Sequence, residues 1–345
     1  MEIPKRDIIV FLADSNYVEQ AKQLFSSIYW KAGWKGDYML LSHQISDNEL
    51  KWFRDKGVLI RECIPLFDKT IGKNYSPIVL DKLYLFKTEF KKWNNVVFLD
   101  SDIIVRGSLE RLTKINGFAS VKSFLKLRGE FFVDSDLISD LSISFNLNKR
   151  AFCTGIMAFS TNIINDNTFD EIINLFKKYE RAFLFGEEGV LNLYFYKKWK
   201  EIPNVFGLDF TPIAHLKIKP DDIHAVVLHF IRFEDKKWCK PWNPENPFFT
   251  EWTDNLQKFD LVNLGIVQRV KSWDVLKVYY YSLLYDFYIH YNYRSRTDFN
   301  VFSVLLSFTD RLIGRIGMIV NKISPNLYNK LKGRGRMKKV ANKNE

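Results

Sequence analysis

Asp100 and Asp102 stand one serine apart in NNVVFLDSDIIVRG, residues 94–107, with apolar runs at 96–99 and 103–105 on either side. Unpaired charge in such a segment is costly to bury. In an extended segment, side chains two residues apart point the same way, so both carboxylates converge on one point. Two like charges at one point favour a divalent cation. Carboxylate oxygens suit Mg²⁺ or Mn²⁺, and an added imidazole tilts the choice toward Mn²⁺. A single Asp at the end of an apolar strand is commonly a polar turn. A pair framed by apolar residues on both sides speaks for a site.

The surrounding pattern supplies elements able to hold that pair. Residues 7–13, DIIVFLA, read as a buried strand, and 17–32 as a helix with Val18, Ala21, Leu24, Phe25 and Ile28 on one face. DYMLLS at 37–42 reads as a second strand, and VLIRE at 58–62 as a third. Between them Ser46 and Glu49 form a capping-box pattern before a short helix that ends at Gly57. This βαβαβ alternation predicts a largely parallel sheet with helices on both faces. Residues 79–92 read as helical and lead into the strand 96–99. Such sheets bind ligands outside the carboxyl ends of their strands, and the acidic pair falls at one of those ends. Further strands are expected at 153–160 and 225–231, the latter with His229 near its end, and Thr168 with Glu171 gives a second capping-box pattern before a helix. After about residue 250 the alternation stops, and 273–308 is helical in tendency and crowded with Tyr and Phe.

Composition bounds the class. The chain has 345 residues, 47% of them hydrophobic, enough for a substantial core. Its three cysteines, Cys63, Cys153 and Cys239, are scattered and lack CxxC spacing, which argues against a disulfide framework or a zinc site and fits a reducing compartment. No secretory signal and no apolar run long enough for a bilayer is visible. Charge is uneven: residues 311–345 hold ten Lys or Arg against Glu345, so that stretch carries +9 of the net +11. Leu312, Ile316, Ile319 and Ile323 share one helical face there, and Pro325 ends the pattern. A basic amphipathic helix followed by a polybasic segment suits an anionic membrane surface. No nucleic-acid motif accompanies the charge.

One rival chemistry for the acidic pair is that of haloacid-dehalogenase-type phosphatases, where one Asp of an apolar-strand D-x-D attacks phosphorus. That scheme needs a later acidic pair just after another strand. Here Asp221 and Asp222 precede a strand, and the D-x-D lies deep in the chain. The phosphatase reading is the weaker one.

Six stretches, in order over about residues 7–242, resemble family-8 glycosyltransferases, the group containing glycogenin and bacterial lipopolysaccharide galactosyl- and glucosyltransferases. They are FLADSNY (11–17), LDKLYLF (80–86), FLDSDIIV, FCTGIMAFS, GEEGVLN (186–192) and VVLHFIRFEDKKWCKPW (226–242). The resemblance implies a GT-A fold, a mostly parallel α/β sheet flanked by helices, with a UDP-sugar donor and retention of anomeric configuration. It implies donor contacts from Asp14, Asn16 and Tyr17, from Lys82, Ser101 and Lys240, and a metal, Mn²⁺ or Mg²⁺, on Asp100, Asp102 and His229. By itself His229 reads as a satisfied core histidine; the K-P-W after it favours a ligand. Glu187 and Glu188 stand where the family usually has Asp-Gln. Glu188 is then either a nucleophile or a stabiliser of positive charge at the anomeric carbon. Cys153 and Thr154 replace the usual Asn and Ser or Ala, and the segment between His229 and Lys240 is longer and lacks Gly.

The expected organisation is a GT-A domain over 1–250, an aromatic helical extension over 251–310 and a membrane-facing tail over 311–345. The expected reaction moves a hexose, glucose or galactose, from a UDP-sugar to a glycan or lipid-linked acceptor on the cytoplasmic side of a membrane. A catalytically weak sugar-nucleotide-binding or scaffold protein is the alternative, and a self-glycosylating primer is a variant of the first reading.

Overall fold

Seven strands lie side by side in the main sheet, and its central members Ile8–Asp14, Asp37–His43 and Asn95–Leu99 are buried on both faces, as in other doubly covered sheets. In the computed structural model, which describes residues 5–67, 75–131, 136–210, 219–231, 239–294 and scattered positions from 316 to 324, these strands pair in the order β3-β2-β1-β4-β7-β6-β8. They are β1 (Ile8–Asp14), β2 (Asp37–His43), β3 (Leu59–Glu62), β4 (Asn95–Leu99), β6 (Phe118–Lys126), β7 (Arg150–Ser160) and β8 (Lys200–Ile202). Strands β3, β2, β1 and β4 are mutually parallel, whereas β7 is antiparallel to both β4 and β6. A second sheet, β5-β10-β9, joins β5 (Ile103–Val105), β10 (Val227–His229) and β9 (Leu208–Asp209).

The helices are α1 (Val18–Ala32), α2 (Asp47–Asp55), α3 (Leu137–Ser144), α4 (Thr168–Tyr179), α5 (Glu187–Tyr194), α6 (Phe249–Gln257) and α7 (Val275–Arg294). The capping box at Ser46 and Glu49 forms as the sequence predicts. The one expected at Thr168 does not. Thr168 is the first helical residue, and its hydroxyl takes the Asn165 amide at 2.9 Å, while Glu171 accepts from the Tyr194 hydroxyl at 2.8 Å. Asn165 builds the turn instead, accepting from the Asn167 amide, so the helix starts one residue earlier in register than the pattern suggests.

The segment expected to be helical over 79–92 is two 3-10 helices, Pro77–Phe86 and Thr88–Lys92, broken at extended Lys87. Every residue from Leu80 to Phe86 is buried, including Asp81 and Lys82, and both charges are paired. His43 meets Asp81 at 2.6 Å. The phenylalanine surplus fills the core on this side: the rings of Phe118 and Phe195 stack at 3.9 Å, and Phe86 packs on Phe118, Phe159 and Phe195.

The chain divides into two compact units, Met1–Ser282 and Leu283–Glu345. The first holds both sheets. In the second, Ile316, Met318, Lys322 and Ile323 are exposed and Ile319 and Ser324 are half-buried, and the other residues of the basic tail expected at a membrane lie outside the described residues. No helix among the described residues is long and apolar enough to cross a membrane.

Candidate active site

Two ladders meet at the acidic pair. Leu99, the last residue of β4, lies opposite Ile156 of β7, and the Asp100 amide extends that ladder by donating to the Gly155 carbonyl at 2.8 Å. On the other side Ile103 lies opposite His229, and the Phe230 amide donates to the Asp102 carbonyl at 3.1 Å. The first sheet thus fixes Asp100 and the second fixes Asp102 beside His229. Residues 101 and 102 form a turn between strands of different sheets, not the extended segment expected from the sequence. Ser101 is turned inward, and its hydroxyl donates to the Leu12 carbonyl at 2.5 Å, tying the turn to β1. The carboxylates converge all the same. Side-chain oxygens of Asp100 and Asp102 and a ring nitrogen of His229 all lie within 4.8 Å of one another.

Two lysines flank the cluster. Lys82 Nζ lies 2.9 Å from Asp100 Oδ1 and 2.9 Å from Glu187 Oε1. Burial pulls its pKa down, but the Asp100 and Glu187 carboxylates outweigh that and hold it well above its ordinary value. Lys240 Nζ meets Asp102 Oδ2 and donates to the Phe230 carbonyl at 2.6 Å. Burial pushes the Asp102 carboxyl up, yet Lys240 and His229 hold it far below the usual carboxylate range. His229 Nε2 sits 3.1 Å from Asp102 Oδ1. Burial lowers its pKa, and Asp102 and then Asp100 raise it beyond that loss.

These residues fit a hard divalent cation. The donor set is two carboxylates and one imidazole. The space is kept open by Gly155: a Cβ there would stand 2.2 Å from His229 Cε1 and 3.0 Å from Asp100 Oδ2. Among the described residues no other cluster of three such ligands occurs. Asp221 and Asp222, which the phosphatase scheme would need, are exposed on a separate 3-10 turn.

Helix α5 brings the two glutamates to the same place. Gly186 precedes it at φ 63, a left-handed conformation suited to glycine, and a Cβ there would meet the Tyr75 ring at 2.8 Å. Asn192 clamps the helix to β7, accepting from the Phe152 amide at 2.9 Å and donating to its carbonyl at 2.8 Å. Thr154 then receives both acids: its hydroxyl donates to Glu187 Oε1 at 2.8 Å, and its amide to Glu188 Oε2 at 3.2 Å. Burial raises the Glu187 carboxyl although Lys82 opposes it. Burial, then the neighbouring Glu187 charge, push Glu188 up to about 7.

That shift has a measurable consequence. An acid whose pKa rises from 4.5 unfolded to about 7 folded binds more protons folded than unfolded between those values. Stability therefore falls as pH rises through that window, by on the order of 2–3 kcal/mol for this group. In Glu188→Gln the titration is gone. Urea midpoints followed from about pH 4.5 to about pH 8 should fall less steeply in the variant than in the parent.

Three other residues expected at the donor, Asp14, Asn16 and Tyr17, lie at the carboxyl end of β1. Asp14 caps the 3-10 turn after β1, accepting from the Asn16 amide at 2.9 Å, with Asn16 exposed beside it. The Tyr17 ring meets Trp242 edge-on at 5.9 Å. Burial, then the Asp102 charge, raise the Tyr17 hydroxyl's pKa. Tyr17, Asp102, Lys240 and Trp242 are thus neighbours, whereas Ser101 faces the protein interior. One carboxyl that the sequence reading missed also belongs here. Glu130, at the end of the 3-10 turn Leu127–Glu130, is buried against Glu188 and Glu187.

The profile of glycosyl transferase family 8 matches residues 8–245. The chain belongs to that family. Two relatives from Streptococcus pneumoniae serotype 4 are each 23% identical: glycosyltransferase GlyF over 249 residues, and glycosyltransferase GlyB over 294 residues. Their alignments take in 69% and 76% of this chain, which spans 58% of GlyF's length and 67% of GlyB's. Among solved structures, galactosyltransferase LgtC, crystallised with donor and acceptor sugar analogs, superposes with a TM-score of 0.56 at 16% identity, over 73% of this chain and 95% of that one. Glycosyltransferase GlyE of Streptococcus pneumoniae TIGR4 gives 0.51 at 18% identity, over 78% and 66%. The fold of this family-8 chain is accordingly of the GT-A type.

Proposed function

We propose that this family-8 protein transfers a hexose, glucose or galactose, from a UDP-sugar to a glycan or lipid-linked acceptor with retention of configuration. The observation that carries the reading is the convergence of Asp100, Asp102 and His229 between Lys82 and Lys240 at the carboxyl end of β4. A departing diphosphate needs its charge met, and this is where positive groups and cation ligands are gathered.

Mn²⁺ or Mg²⁺ held by Asp100, Asp102 and His229 would supply Lewis-acid stabilisation of the leaving diphosphate. Lys240 and Lys82 add fixed positive charge at the same place, and their carboxylate partners keep them protonated throughout the neutral range. Tyr17 and Trp242 form an aromatic wall beside Lys240, suited to stacking on a nucleotide base or sugar. Glu188, held by the Thr154 amide, presents negative charge toward a developing cation at the anomeric carbon. Thr154 and Cys153 shape the sugar pocket differently from the family's usual residues, which bears on sugar choice more than on reaction type.

Release of UDP from UDP-glucose and UDP-galactose, measured with and without Mn²⁺, tests the reading. Hydrolysis or transfer that EDTA abolishes and Mn²⁺ restores is the expected result. Binding of either donor without any UDP release would instead leave a sugar-nucleotide-binding protein.

A further inference from the structure

Glu130 is fully buried, and neither of its carboxyl oxygens accepts a hydrogen bond from any N–H or O–H of the described residues. Its carboxyl nevertheless lies within hydrogen-bond reach of Glu188. Two carboxylates in contact, away from water, repel each other and lose their hydration. Two carboxyls bind each other only through a proton. Retreat is blocked as well: the Glu130 carbonyl accepts from the Leu184 amide at 2.9 Å, and Phe131 bridges to Phe183 in antiparallel fashion. The turn bearing Glu130 is therefore fastened to the loop that leads into α5.

We propose that Glu130 is a positioning residue of the transfer reaction, sharing one proton with Glu188 and, through that hydrogen bond, aiming the Glu188 carboxylate at the anomeric carbon. The inference rests on reading the site as a glycosyltransferase centre. The proton resides on Glu130. Glu188 already accepts from the Thr154 amide, which favours its ionised form, whereas Glu130 has no donor to stabilise a charge. Other titratable groups nearby are accounted for. Glu187 is paired with Lys82, Lys82 also serves Asp100, and burial, then the Glu188 charge, keep the Cys153 thiol neutral. The pair then carries a single negative charge, as a carboxylic acid facing a carboxylate does, and titrates as a unit. Glu188 stands where the family usually has Gln, and Glu130 gives it a neutral partner that donates to it.

Infrared difference spectra of the full chain at about pH 8, parent minus Glu130→Gln, test the shared proton without any donor sugar. A protonated-carboxyl C=O band lost in the variant supports the proposal; loss of a carboxylate band in its place overturns it. The positioning role is read from UDP release with UDP-glucose and UDP-galactose across pH. In Glu130→Ala, kcat should fall roughly tenfold with KM little changed, and the acid limb should move to higher pH because Glu188 has lost a donor. Glu130→Gln still offers an N–H and should restore much of kcat and the parent's acid limb. Equal kcat losses in both variants with an unmoved limb would make Glu130 a packing residue and sink the idea. Because the infrared measurement needs no turnover, failure of the shared proton and failure of the transferase reading give different results.

Discussion

Replacing Asp102 by Asn should lower UDP release about a thousandfold, and Asp100→Asn should lower it by at least about a hundredfold. Asp102 is the more tightly engaged of the two. It meets Lys240 through Oδ2 and His229 through Oδ1, so a neutral amide there weakens both neighbours and one cation ligand at once. Asp100 shares Lys82 with Glu187, and that ammonium keeps a carboxylate partner in Asp100→Asn. Removing one member of a buried pair also costs stability, roughly 3–5 kcal/mol where the other charge has no second partner. Lys240 keeps the Phe230 carbonyl, which limits that cost. Calorimetric uptake of Mn²⁺ in the presence of UDP, beside the thermal midpoint of each variant, separates the two effects. Folded variants that release UDP at the parent's rate would show that the carboxylates only hold the turn together.

The parts of this site that could be read from the chain are those encoded by local pattern. The strands β1 to β3 and their helices follow from apolar periodicity, and Asp100 with Asp102 stands out because charge interrupts an apolar run. His229 and Lys240 needed the order of six motifs, since a histidine at a strand end is otherwise unremarkable. How the two acids converge was not legible: the turn at 101–102 exists because β4 and β5 belong to different sheets, a pairing set by β7 and β10 far along the chain. Glu130 lay hidden for the same reason. It follows β6, a strand the alternation did not announce, and reaches Glu188 only when the loop before α5 closes on it. Ser101 misleads in the opposite sense, a polar residue between two functional acids whose hydroxyl serves the backbone of β1. The 3-10 geometry around Lys82 is likewise tertiary, arising where a wholly buried segment must satisfy Asp81 on one partner and Lys82 on two others.

A single methyl group at position 155 should disable the centre as thoroughly as loss of a carboxylate. The Cβ of Gly155→Ala would stand 2.2 Å from His229 Cε1 and 2.9 Å from its Nε2, distances at which something must move. The backbone has little freedom to do so, because the Gly155 carbonyl holds the Asp100 amide and His229 is paired on both sides, with β5 and β9. His229 is only 3% exposed, so the ring has no open space to swing into. Either the imidazole leaves Asp102 or the β4–β7 ladder parts at Asp100. Both outcomes separate the three ligands. Overpacking of this kind costs about 1–3 kcal/mol of stability, whereas the activity loss should reach about a hundredfold or more. Gly107→Ala is the control, since a Cβ there meets Val226 at an ordinary 3.5 Å. Mn²⁺ uptake with UDP, UDP release and thermal midpoint, measured on both variants, distinguish a displaced ligand from a loosened sheet. Should Gly155→Ala take up Mn²⁺ as the parent does while merely melting earlier, His229 is a core histidine after all and the cation rests on the aspartates alone.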